Sequence, residues 1–138
     1  MLSQEDSSGI VNAVLAAAKK ESLNVCVCVV DRNGDLIALQ KMDHASRVAM
    51  ELCQAKAATA AIFGLPTNEV APLAQPGQPL YGLLHMQGGR FTAFGGGFPV
   101  RRQGRVIGAV GVGGAEPGQD IWLAQLGADI VTDHVTGG

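Results

Sequence analysis

The stretch KMDHA sets Asp43 beside His44, and Lys56 stands further on inside the alanine-rich run QAKAATAAIF. A carboxylate, an imidazole and an ammonium move protons when burial or a neighbour brings their pKa values toward neutrality. Lys56, with Ala55, Ala57 and Ala58 around it, is open to such desolvation. It would then act on a carbonyl or hold a carboxylate, with Asp43 as the second polar group of an enzyme site. The plainer reading is a lysine that snorkels to solvent or pairs with Asp43. Imidazole can also serve as a ligand. His44 leaves the second predicted strand, His85 lies next to Met86, and His134 stands near the C-terminus. Each alone is more commonly a polar surface group than a ligand.

A second feature is AFGGGFPVRRQG, in which Gly95, Gly96 and Gly97 separate two apolar stretches. Glycines cradle phosphate where they join a strand to a helix N-terminus. Here Phe98-Pro99-Val100 and a hairpin follow, so a phosphate loop is excluded. Two readings remain compatible. The glycines let another backbone pack closely, or they leave a bare floor for a flat ligand. Arg101, Arg102 and Arg105 flank the hairpin, and Arg90 opens the segment before it. Their guanidinium forks suit a carboxylate, although a solvated hairpin tip accounts for Arg101 and Arg102 as well. Nucleophile–base constellations, Gly-rich nucleotide motifs and metal-spaced histidines are absent from the sequence.

With 138 residues, 47% of them hydrophobic and 16% charged, the chain has the size and make-up of one globular domain. The apolar share points to buried subunit interfaces. A net charge of −2 with one Trp and one Tyr argues against nucleic-acid binding. Cys26, Cys28 and Cys53 cannot all pair within one chain. The first two, at strand spacing, read as small core residues in a reducing compartment. No signal-peptide pattern or membrane-length apolar run is seen, which predicts a cytoplasmic protein without a membrane partner.

These residues need elements to position them. SQEDSSGIVNAVLAAAKKES predicts a helix with Ile10, Val11, Val14, Leu15 and Ala18 on one face. Val25 to Val30 and Leu36 to Lys41 predict two strands joined at Asn33-Gly34. RVAMELCQAKAATAAIFG predicts a helix ended by Gly64, its alanines allowing close approach to a sheet. Thr67 is the expected N-cap of a short helix, and QPGQPLYGLLHMQGG an ordered loop. RFTAFGGGFPV and RVIGAVGVGG predict strands around a turn at RRQG, and Pro117 opens a last helix. The order gives an α+β domain, a largely antiparallel sheet covered by helices, spanning residues 1–138.

VVDRNGDLIALQKMDHA, QAKAATAAIF, QPGQPLYGL, FGGGFPVRRQGRVIGAVGVGG and the following GQD resemble the GlcG/HbpS family, in particular its branch related to the C-terminal domain of PduO. The resemblance covers nearly the whole chain in order. It implies a profilin-like fold, a central antiparallel sheet flanked by helices, assembled into a homo-oligomer such as a tetramer or octamer. Several members bind haem, and others serve propanediol, glycerol or glycolate utilisation. One relative has been given a tautomerase activity. The resemblance thus implies a small-ligand-binding accessory protein, with haem held non-covalently since C-x-x-C-H is absent. His44 or His85 would ligate the iron, with Gly95, Gly96, Gly97 and Arg105 around the ligand. A tautomerase or isomerase of small keto acids using Lys56 and Asp43, or a scaffold without ligand, are the alternatives.

Overall fold

Ser3 begins the first helix. Its hydroxyl accepts from the Asp6 N–H at 3.0 Å, and the Asp6 carboxylate accepts from the Ser3 N–H, closing a capping box. In this computed structural model, which describes residues 1–132, that helix, α1, is Gln4–Lys20. It leads into β1 (Cys26–Asp31) and β2 (Leu36–Lys41), then α2 (Arg47–Phe63), a short α3 (Thr67–Leu73) and a 3₁₀ segment (Tyr81–Gly88). The chain continues through β3 (Gly97–Arg102), β4 (Arg105–Gly113) and α4 (Pro117–Val131). His134 lies outside the described residues.

The strands pair in the order β2-β1-β4-β3, each neighbour antiparallel. This is the α+β architecture expected, an antiparallel sheet with helices on both faces. The alternation of β1 divides the core. Val25, Val27 and Val29 point to the layer of α1 and α4, where Ile10, Val14 and Leu123 are fully buried. Burying each such aliphatic side chain contributes roughly 1.5–3 kcal/mol. Cys26, Cys28 and Val30 face the other way, against Ala49, Cys53, Ala57 and Ala60 of α2.

That second layer is thin. A Cβ on Gly111 would lie 2.0 Å from the Cys53 carbonyl oxygen, and one on Gly97 would lie 2.3 Å from that of Lys56. Alanines on the helix and glycines on the strands therefore bring α2 into main-chain contact with β3 and β4. Gln103 and Gly104 turn the β3–β4 hairpin with φ of 53° and 74°. Two consecutive left-handed residues make the two-residue turn whose twist matches the strands.

Three local expectations change. Residues 90–96 are not a strand, and β3 begins only at Gly97. The Thr92 N–H donates to Thr59 Oγ1 of α2 and the Phe94 N–H to Thr92 Oγ1, so side chains take the bonds a ladder would need. Thr67 does not cap α3. Pro66 occupies that position, while Thr67 is buried and its Oγ1 accepts from the Gly97 N–H at 2.8 Å. The loop expected before Gly89 contains 3₁₀ turns that seat Leu83 against Val70, Ala74 and Phe91.

Candidate functional site

The alanine-rich face of α2 carries Lys56 inward, where only 3% of it is exposed. Its Nζ donates to the Val112 carbonyl at 2.9 Å and to Asp120 Oδ2 at 3.1 Å. The other oxygen, Asp120 Oδ1, accepts from the Ala115 N–H at 3.0 Å. Burial pushes the Asp120 carboxyl above its ordinary range, and the Lys56 ammonium pulls it part of the way back. The partner of Lys56 is thus Asp120, not Asp43, and Lys56 is buried rather than snorkelling outward. Asp43 sits exposed in the turn before α2. Asp120, in the first turn of α4, is brought to Lys56 by β4, which ends beside both. Beside this pair lies a pocket of about 300 Å³ lined by Leu52, Lys56, Phe94, Gly95, Pro117 and Asp120, among others.

The glycine stretch divides here. A Cβ on Gly96 would lie 2.9 Å from Lys56 Nζ, and the space over Gly97 holds the α2 backbone and Thr67. Close packing is therefore their role, and the bare floor expected for a flat ligand is filled at both positions. Gly95 borders the pocket beside the Lys56–Asp120 pair.

His44 lies at the edge of a different cleft, of about 500 Å³, between the end of α1 and the end of β2. Leu15, Leu23 and Met42 give it aliphatic and thioether walls, and Lys19 and Lys41 place two ammonium groups on it. Lys41 is held there by donating to the Met42 and Asp43 carbonyls at 3.2 and 3.3 Å. Asp43 borders the same cleft. Among the described residues, no hydrogen bond or ion pair engages the His44 imidazole. The fold gathers neither His85, Arg105 nor the glycines into this cleft. His85 is exposed on the 3₁₀ segment, and Arg105 borders a pocket of about 410 Å³ with Leu2, Asp31 and Ile107.

Arg90, Arg101 and Arg102 tie elements together rather than fringing a solvated tip. Arg101 donates to the Gly64 carbonyl at 2.6 Å, capping the end of α2, and to the Gly104 carbonyl. Arg102 reaches the Met1 carbonyl at 3.1 Å and lies 3.6 Å from Asp6. Arg90 donates to the Gly34 carbonyl and to Gln87 Oε1. It thereby borders a cleft of about 600 Å³ over Cys28, Leu36, Val48 and Phe91 that the sequence reading missed. Its residues come from four separate segments, none with a motif. Burial pushes the Cys28 thiol up to about 12, so this cysteine is an inert wall and not a nucleophile. Cys26 is also free and buried, as expected of a core residue, and Cys53 is free and buried too. No group of three or more His, Cys, Asp or Glu side chains among the described residues is arranged to hold a metal ion.

Residues 2–129 match the family described as haem degrading protein HbpS-like. The chain belongs to the HbpS-like family. Among its HbpS-like relatives is a 15.0 kDa protein of Citrobacter freundii from the dhaT-dhaS intergenic region, 38% identical over 124 residues, covering 90% of this chain and 87% of that one. The corrinoid adenosyltransferase PduO of Salmonella typhimurium is 36% identical over 125 residues, 90% of this chain but only 37% of PduO. The crystal structure of a PduOC:haem complex superposes with a TM-score of 0.87 at 34% identity, covering 94% of each chain.

Proposed function

We propose that this protein binds haem non-covalently, with the His44 imidazole as axial ligand. The observation that carries the proposal is the likeness, over almost the full length of both chains, to a domain crystallised with haem. The His44 cleft supplies what such a group asks for. It has an imidazole without a competing partner, aliphatic walls, and ammonium groups from Lys19 and Lys41 for the propionates. Bound haem would contribute its iron as a redox and gas-binding centre. The chain's own residues hold the ring, and Lys41, anchored on two carbonyls, keeps one cation in position. The protein then serves as an accessory, for storage or sensing, to small-alcohol or hydroxy-acid metabolism in the cytoplasm, and it works as a homo-oligomer.

Titration with haemin tests this. A saturable Soret shift is expected, weakened or spectrally altered in His44→Ala. A change confined to His85→Ala would move the ligand to the 3₁₀ segment. Absence of a saturable shift, or a spectrum unchanged in both variants, would overturn the proposal.

A further inference from the structure

The Lys56–Asp120 pocket shares no lining residue with the proposed haem cleft at His44, and the pair has one donor to spare. An ammonium carries three N–H groups. Two are spent on the Val112 carbonyl and Asp120 Oδ2, and Nζ makes no third hydrogen bond among the described residues. A buried donor left unpaired is costly, so an oxygen brought to it is favoured. The adjoining pocket of about 300 Å³ offers such an oxygen a place. Its other walls, Leu52, Phe94 and Pro117, present hydrocarbon, and Phe94 at its rim is 65% exposed.

Charge selects the guest. The Lys56 ammonium is already balanced by Asp120, and Glu116 adds a second carboxylate one residue before the pocket-lining Pro117. An incoming carboxylate would be a buried charge without a counter-ion, which is strongly unfavourable. An uncharged carbonyl or hydroxyl compound meets no such penalty. Its oxygen accepts from Lys56 Nζ, and a hydroxyl would also donate to the Asp120 carboxylate. We infer that the pocket between α2, the Ala93–Gly95 segment and the start of α4 is a second binding site, for a small uncharged ketone, aldehyde or alcohol with a short apolar body.

The test is an amide-resolved NMR titration of the full chain with butanone, and in parallel with butyrate. Saturable shifts centred on Lys56, Gly95 and Ala115 are expected with butanone. Saturation in the millimolar range suits a ligand of few atoms. Butyrate should bind about tenfold more weakly or not at all. Ala93→Leu, which fills the pocket from a half-buried position, should weaken butanone at least about tenfold while its spectrum stays dispersed. Phe94→Ala, at the exposed rim, should weaken it less and serves if Ala93→Leu does not fold. Absence of saturable shifts in the wild type overturns the inference. So does equal binding of butyrate, or butanone binding unaffected by Phe94→Ala and by a folded Ala93→Leu. The Soret titration is a separate readout, so either site can fail while the other stands.

Discussion

Lys56 shows how far a single side chain can be read without its fold. Its alanine neighbours leave desolvation open, but the plainer reading of a lysine that snorkels or pairs with Asp43 is overturned by its burial against Asp120. Its counter-ion was not legible, since Asp120 lies on another helix and no local spacing joins the two. A testable consequence follows at this scale. Lys56→Met leaves Asp120 buried without a cation and should cost about 3–5 kcal/mol, read as a fall in urea midpoint. The double variant Lys56→Met/Asp120→Leu should recover much of that loss, because well-packed apolar residues replace buried ion pairs at little cost. The pH dependence has a definite sign. Burial already holds the native Asp120 carboxyl above its ordinary 3.8, and losing Lys56 removes the group that opposes that rise. Folded Lys56→Met then binds a proton that the unfolded chain has released. The stability tied to protonated Asp120 is fully present below the unfolded value and is lost as pH rises through the native one. Relative to wild type, the variant should therefore gain as pH falls. An equal denaturation midpoint for wild type and Lys56→Met would contradict the assigned ion pair.

Among elements, those with period and punctuation were legible. VCVCVV with Asn33-Gly34, the Gly64 stop and the opening at Pro117 all appear where the sequence places them. Residues 90–96 were not, because Thr92 and Phe94 suit a strand as well as a loop. The choice was made by Thr59, on a different element. The glycines separate into two kinds by what surrounds them. Gly9, within α1, has no atom within 4 Å of an added Cβ, whereas one at Gly111 would lie on the α2 backbone. Gly9→Ala should stabilise by about 0.5–1 kcal/mol through helix propensity. Gly111→Ala should destabilise by about 3 kcal/mol, at the upper end of overpacking effects. Thermal melts of the two variants, shifted in opposite directions, would check the contrast. A neutral Gly111→Ala would refute the main-chain contact.

For the whole molecule, fold class and element order were legible because alternation and helical period report burial directly. Association and ligand chemistry depend on surfaces assembled from distant segments, and these the sequence leaves open. Among the described residues, no single helix is long and apolar enough to cross a membrane. Several large apolar side chains are nevertheless exposed, Leu36 at 57%, Val48 at 60% and Ile130 at 56%. Burying such side chains between copies would favour the proposed homo-oligomer. Sedimentation equilibrium should return a multiple of the 14.2 kDa chain mass, such as a tetramer or octamer, and a monomer at micromolar concentration would count against it.

The seam beneath α2 has a mechanical corollary. Where Cys53 and Lys56 carbonyls rest directly on strand glycines, no cushion of side chains separates the two bodies. The helix therefore cannot rock or slip along the sheet without atoms colliding. Adjustment of shape on capturing a guest would then fall to walls other than α2, such as Ala93, Phe94 and Gly95 in the proposed second pocket, with the lysine as its fixed anvil.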